Sequence, residues 1–592
     1  MRLNILTRIN RLPLSITAAL GFAILVVGLW LPYGFNISAQ SDEWVHMALL
    51  ARVPFNLQND IRPLLRLPWA IAHVLTPDSF LGLNLLLALT FYIKGLALYG
   101  IVRRLLPSFP ALAYAAGILL IIYPGDFGTF NLITTGISVS LACWLVAAYF
   151  LLVYWQRPGI LPLLVMWGFL FVAVGIVEIV YPLVLFTPLL LVFLEGRFNR
   201  RMLLAAALWY AAPIFLVTFA ALQSLAGSNV LDYQSTRFAA DNSIPTLIVA
   251  AVQPYRWLFW DIWQQVISST PVRLVDRRTV VAFVVVIVNS LVLVIHARPT
   301  NHKLMLRHWG VLVVGALGVM TLGFAVFLPS ILRDLQERTL LFTQVGVAVT
   351  LALLAFAFIR FPRFGRYGIA LLLVIAAVAI YVQRNGGNRF VPLLLLVMAA
   401  GFVTVERLRY ALLVSGCVGL FMGSAFALHE VHIQRGRIQQ PYLIALAQAA
   451  PRFTPDTTVL IYDEASDETL YSAFWRRNDV FGSAVQFIYD DPSLRAFLCW
   501  DKPDIDAPDL GTCQITNDGA GVVYDPRYQP TYIQPISKLV VLIYKSDGTM
   551  QVLESLPDNF TSGSAIEGYQ PYSHIVTNSD PPPHLNSVFE LQ

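Results

Sequence analysis

Charge is scarce in this chain. Asp, Glu, Lys and Arg make up 13% of its 592 residues, about half the share usual in a soluble globular protein. Apolar residues make up 57%, and the mean hydropathy is +0.66. A soluble fold is thereby excluded, and the composition places the chain in a bilayer. Cysteine is equally rare, with four residues in all, which excludes a disulfide-built scaffold or a zinc ribbon. No solenoid-type repeat is present.

Apolar runs of about 17–25 residues, long enough to cross about 30 Å of hydrocarbon, are what the sequence has in abundance. They fall at 14–33, 80–101, 108–123, 132–154, 160–177, 180–194, 202–223, 279–296, 308–328, 340–359, 367–383, 390–405 and 409–428, thirteen in total. The first follows the basic start "MRLNILTRINR" and is read as a retained helix, not a cleaved signal. With the N-terminus cytoplasmic, every even-numbered helix ends in a short loop carrying Arg or Lys. Those loops are "VRRLLP", "YWQRPG", "EGRFNRR", "HARPTNHKLMLRH", "IRFPRFGRYG" and "VERLRY". An odd number of spans then places the C-terminal part outside the cytoplasm.

Charge divides the chain in the same place. Residues 429–592 carry 10 basic and 21 acidic side chains, and the remainder carries 30 basic and 14 acidic. The expected organisation is a transmembrane domain over 1–428, with long outer loops at 34–79 and 224–278, and a soluble extracytoplasmic domain over 429–592. The basic excess lies in short loops between apolar runs, so it does not point to nucleic acid. In the C-terminal domain "TTVLIYDE" reads as a buried strand and "KLVVLIYKSDGTMQVLES" as a hairpin turning at a glycine. With the connecting helix "PYLIALAQAA", these imply an α/β or α+β fold. The tail "SDPPPHLNSVFELQ" reads as extended. Cys499 and Cys513 both fall in this domain, away from the reducing cytoplasm, where a disulfide can form. The aromatic-rich segment with Tyr255, Trp257, Trp260 and Trp263 reads as a helix lying in the headgroup plane.

The chemistry-bearing residues collect in the outer loops. Directly after the first apolar run comes "SAQSDEWVHMALLARVPFNLQNDIRPLL", with Asp42, Glu43, His46, Asp60 and Arg62. Ionisable groups at a membrane boundary are solvated, paired or functional. In a helix, His46 stands one turn from Asp42, so both face the same way. "YPGDFGTFN" offers Asp126 between two glycines, as a turn residue or a site acid. It is a lone acid and not an Asp-x-Asp pair, which gives little support to a dedicated divalent-metal site. Glu178, in "VGIVEIVYPLV", either meets a ligand or pairs with an arginine. "LPSILRDLQERTLLF" supplies Arg333 and Arg338, either phosphate-binding guanidinium groups or partners of Asp334 and Glu337. Arg62, Arg66 and Arg256 compete for the phosphate role.

Asp42-Glu43-Trp44-Val45-His46, followed by Ala48 and then Arg62-Pro63-Leu64, resembles the first outer loop of GT-C class membrane glycosyltransferases. Within that class it is similar to the protein O-mannosyltransferase and aminoarabinose transferase-like superfamily. Those proteins commonly have two prolines where this chain has Arg62-Pro63. The resemblance implies an integral membrane enzyme of the plasma or inner membrane that moves a sugar from a polyprenyl-phosphate donor to an extracytoplasmic glycan, lipid or protein, with inversion. It implies Asp42 as the base, with Glu43 in reserve. His46, Asp60, Arg62, Asp126, Glu178, Arg333 and Arg338 are then the substrate-binding candidates; no cofactor is firmly indicated, and a divalent metal has only weak support. No glycine-rich nucleotide loop lies among the cytoplasmic segments, which fits a lipid-linked donor. Three other classes stay open: a transporter or flippase of lipid-linked glycans, for which mid-membrane sites and paired repeats are typical, a glycan polymerase or ligase, and a non-catalytic scaffold.

Overall fold

In a computed structural model of the chain, the described residues are 13–52, 62, 64–196, 198–225, 238–239, 241–269, 277–297, 306–359, 363–383, 390–404, 406–463, 470, 473–474, 477–499, 512–516, 519–523, 532–555, 568–577 and 579–589. They form two compact units. The first comprises Met1–Phe35, Leu57–Leu67 and Leu85–His429, and the second Asn36–Asn56, Pro68–Asn84 and Glu430–Gln592. Two stretches from the loop after the first helix thus belong to the same unit as the C-terminal residues.

Helices dominate the first unit. Among the described residues, nine are long and apolar enough to cross a membrane: Leu14–Tyr33, Leu81–Leu105, Leu132–Gln156, Glu178–Glu195, Arg200–Thr218, Arg277–His296, Trp309–Phe327, Gly365–Gln383 and Leu408–Ala449. Shorter apolar helices run Pro110–Ile122, Ile160–Ile176, Gln344–Ala357 and Val391–Val403. Each of the thirteen apolar runs in the sequence meets one of these helices. Every residue of Pro110–Ile122 is buried, so this helix, apolar all round, is enclosed by its neighbours rather than exposed to lipid. Polar side chains join helices where they meet. Tyr114 donates to Asn289 Oδ1 at 2.6 Å, Trp144 Nε1 to Thr187 Oγ1 at 2.9 Å, and Ser290 to Ser415 at 2.6 Å. The aromatic-rich segment forms Ile244–Arg256, a wider π turn at Trp257–Asp261, and Ile262–Ser269.

The second unit is built on a four-stranded sheet. Its strands run in the order Arg495–Cys499, Thr458–Asp463, Leu539–Tyr544 and Met550–Val552. The first three are parallel and the last antiparallel. Parallel central strands are buried on both faces, which is why "TVLIY" and "LVVLIY" are apolar without alternation. The hairpin before Met550 turns at Gly548, whose φ of +83° is a conformation open to glycine at little cost. A second, antiparallel sheet holds Thr512–Thr516, Gly519–Val523 and Tyr532–Gln534. Helix Asn478–Ile488 covers the first sheet, anchored where Leu498 N–H donates to Asn478 Oδ1 at 2.6 Å.

The tail departs from its expected extended form. Leu585–Phe589 is a short helix with Leu585 and Val588 buried. Its entry is pinned by His584 N–H, which donates to Ile488 O at 3.2 Å. Burial of two apolar side chains on one face outweighs the preceding proline run. Cys499 is disulfide-bonded and Cys143 and Cys417 are free thiols; the side chain of Cys513 lies outside the described set.

Candidate functional site

Helix Asp42–Arg52 of the second unit carries three of the sequence candidates. It starts with two acids and ends with an arginine, matching the partial charges at its ends. Glu43 is fully buried and turns back on the preceding turn, its Oε2 accepting Ser41 N–H at 2.7 Å and Gln40 N–H at 3.3 Å. His46 stacks on Trp69, ring centroids 4.9 Å apart and planes 27° apart. Asp42 is about a third exposed and accepts a hydrogen bond at Oδ1 from Arg477. Among the described residues no hydrogen bond reaches its Oδ2.

A network of buried amides holds this helix. Trp44 Nε1 donates to Gln439 Oε1 at 2.8 Å, and Gln439 Nε2 donates to the carbonyls of Gln40 and Ala473, each at 2.8 Å. Gln40 Nε2 donates to His432 O at 3.0 Å. Trp44 also meets Phe80 edge-on at 5.1 Å and Phe487 at 6.0 Å. Buried side-chain amides that spend their hydrogen bonds on backbone carbonyls fix a segment in one register.

The remaining candidates belong to the first unit, except Asp60, which lies outside the described residues. Arg62 grips Glu178 through two parallel hydrogen bonds, Nε to Oε2 at 2.7 Å and Nη2 to Oε1 at 2.6 Å. Glu178 opens the short turn Glu178–Val180 after helix Ile160–Ile176 ends. Leu64 N–H donates to Gly175 O at 2.9 Å beside it. Glu178 thus makes the arginine pair that the sequence offered as one of its two roles.

Asp126 is fully buried, yet its carboxylate is filled by three backbone N–H groups. Oδ1 accepts from Gly128 at 2.7 Å and Arg338 at 2.8 Å, and Oδ2 from Leu340 at 2.8 Å. One side chain thus ties the loop after Pro110–Ile122 to the segment leading into Gln344–Ile359. Burial pushes the Asp126 carboxyl up to about 7; the amides of Arg338, Leu340 and Gly128 pull it back, and Glu337 adds to the rise. Arg338 takes a positive φ of 74° to present its amide, a conformation that costs a non-glycine residue about 1 kcal/mol or more. Arg333 instead donates to Asp241 O at 2.8 Å, and Asp334 stands at 4.0 Å.

Two cations missing from the sequence candidates stand out. Arg477 joins Asp42 to Asp479. Burial alone would lower its pKa, but hydrogen bonding to Asp479 and the charge of Asp42 raise it, so the guanidinium stays charged. Lys94, in the middle of Leu81–Leu105, is fully buried with its Nζ 3.6 Å from the Phe91 ring centroid. No hydrogen-bond partner meets its Nζ among the described residues. Phe91 stacks on Phe130, and Trp30 meets both rings edge-on. As the one charged side chain in an otherwise uncharged apolar run, Lys94 was visible in the sequence. Among the described residues no group of three or more His, Cys, Asp or Glu could hold a metal ion.

The apolar helices and the sheet-bearing second unit define a polytopic α-helical integral membrane protein with a mixed α/β unit. No family model and no curated protein matches the chain. Among solved structures, it is similar to ArnT from Cupriavidus metallidurans bound to undecaprenyl phosphate, at 13% identity and a TM-score of 0.44 over 84% of this chain and 95% of that one. The apo form of the same protein gives 12% identity and a TM-score of 0.42 over the same shares. Neither likeness assigns a role to any residue of this chain.

Proposed function

We propose that this protein is an integral membrane glycosyltransferase that takes a sugar from a polyprenyl-phosphate donor and passes it to a hydroxyl of an extracytoplasmic acceptor. The first-loop motif supports the reading, and the state of Asp42 carries it: one carboxylate oxygen is held by Arg477 and the other is open. A general base needs this arrangement, with fixed orientation and a free lone pair.

In the proposed reaction Asp42 Oδ2 takes the acceptor's hydroxyl proton, and the acceptor oxygen attacks the anomeric carbon. The bond from that carbon to the donor phosphate oxygen breaks, and its electron pair leaves on the phosphate. Polyprenyl phosphate is released, and the anomeric configuration inverts. Within the first unit, and taken by itself, Lys94 is a candidate for meeting a lipid phosphate. A buried ammonium without a hydrogen-bond acceptor is costly, and an anionic oxygen meeting its Nζ offsets that cost. The Arg62–Glu178 and Asp126 contacts hold the loops.

The test supplies the purified protein with radiolabelled polyprenyl-phosphate sugars and membrane extract as acceptor. Label transferred from one donor, with inverted configuration in the product, supports the reading. No transfer from any donor favours the transporter or scaffold alternatives.

A further inference from the structure

Arg477 is shared between two carboxylates of the second unit. Its Nη1 donates to Asp42 Oδ1, its Nε to Asp479 Oδ1 at 3.0 Å, and its Nη2 to Asp479 Oδ2. The two-point grip of Asp479 fixes the plane of the guanidinium. Asp479 lies in the first turn of helix Asn478–Ile488, and that helix is set against the sheet at close range. A Cβ on Gly482 would meet Ala496 O at 2.9 Å, and Leu498 N–H is tied to Asn478. Rigid contacts therefore run from the parallel sheet through this helix and Asp479 to Arg477, and from Arg477 to Asp42.

Among the described residues, two ionisable neighbours on the same helix make contacts of their own. Glu43 accepts the Gln40 and Ser41 amides, and His46 stacks on Trp69 one turn along. Arg477 is the hydrogen-bond donor to the Asp42 carboxylate among the described residues.

We infer that Arg477, fixed by Asp479, is the positioning residue that aims Asp42 at the acceptor hydroxyl, so that the sheet-bearing unit takes part in transfer by orienting the base. This inference rests on Asp42 being the base. Arg477 acts through Asp42: it removes rotational freedom from the carboxylate and leaves Oδ2 presented. Misplacing a reacting group by about 1 Å costs roughly 100-fold in rate, and an unheld Asp42 suffers a loss of that order.

The experiment measures sugar transfer by the full-length protein and its Arg477→Lys, Arg477→Gln, Asp42→Asn and Asp42→Asn/Arg477→Gln variants, with melting midpoints alongside. Arg477→Gln is expected to lower kcat by roughly 100-fold while donor KM and melting midpoint hold. Arg477→Lys, which keeps the charge without the fork, recovers part of the rate. The double variant is no slower than Asp42→Asn alone, because Arg477 acts through Asp42. A loss in Arg477→Gln expressed only in KM or stability, or a multiplicative loss in the double variant, overturns the inference. Wild-type rates in Asp42→Asn remove the base assignment and this inference with it. A slow Asp42→Asn beside a wild-type Arg477→Gln refutes the positioning role alone. Should Arg477→Gln fail to fold, Asp479→Asn replaces it: a reduced kcat at constant KM supports the inference, and an unchanged kcat refutes it.

Discussion

The ammonium nitrogen of Lys94 lies 3.6 Å from the centroid of the Phe91 ring, fully buried and without a hydrogen-bond partner among the described residues. A cation–π contact of this kind contributes about 2 kcal/mol when desolvated, less than the several kcal/mol of taking an ammonium out of water. Lys94→Met is therefore expected to leave the melting midpoint in detergent unchanged or raised, while polyprenyl phosphate binding weakens by at least 10-fold. Thermal scans and a binding titration on the same samples check both. A lowered midpoint with unchanged binding would make Lys94 a packing residue.

Asp126 gives a pH-dependent signature. Its carboxyl is pushed from an ordinary 3.8 up to about 7, so between about pH 4 and pH 7 the folded chain keeps a proton that the unfolded chain has released. Stability contributed by this group is present at low pH, falls as pH rises through that window, and levels off above it. Asp126→Asn should abolish that slope. It should also cost about 1–3 kcal/mol, because an amide cannot accept all three backbone N–H groups. Melting midpoints of both proteins from pH 4 to pH 8 provide the comparison.

The Arg62–Glu178 pair is bidentate and mostly shielded, at 26% and 29% side-chain exposure. Arg62→Lys should behave as a loss, because an ammonium cannot make both bonds. A double-mutant cycle of Arg62→Ala and Glu178→Ala on thermal unfolding should give a coupling of about 1–2 kcal/mol. Additive losses would show that the pair contributes nothing as a unit.

Gly436 belongs to the packing that holds the segment before Asp42. A Cβ there would meet Ser38 Oγ at 1.9 Å and Ser38 Cβ at 3.2 Å, so Gly436→Ala should cost about 1–3 kcal/mol as overpacking. Adding Ser38→Ala removes the hydroxyl and should restore most of that loss. Equal stability of the single and double variants would contradict the close approach.

Much of this architecture was legible in the residues. Runs of about 20 apolar residues have few conformational alternatives in lipid, and each of the thirteen met a helix. "TVLIYD" read as a buried strand and "LVVLIY" as one arm of a hairpin, and both are strands of the parallel part of the sheet. The helix carrying Asp42, Glu43 and His46 was legible only as a condition for His46 and Asp42 to face the same way; the two acids at its start and the arginine at its end agree with it. Partners across the chain were not. Arg477 reaches Asp42 over 435 residues, and Arg338 and Leu340 reach Asp126 over 212 and 214. Local pattern carries no information about which distant turn a carboxylate will meet. The helix at Leu585–Phe589 was hidden by the prolines before it, since its stability comes from burial against the second unit.

The decisive measurement is transfer of radiolabelled sugar from polyprenyl phosphate by wild type and by Asp42→Asn, at matched expression and melting midpoint. A general base contributes about 100- to 10,000-fold, so the variant should be slower by at least roughly 100-fold, with donor binding retained. Equal transfer by the two proteins would remove Asp42 from the chemistry and contradict the proposed reaction.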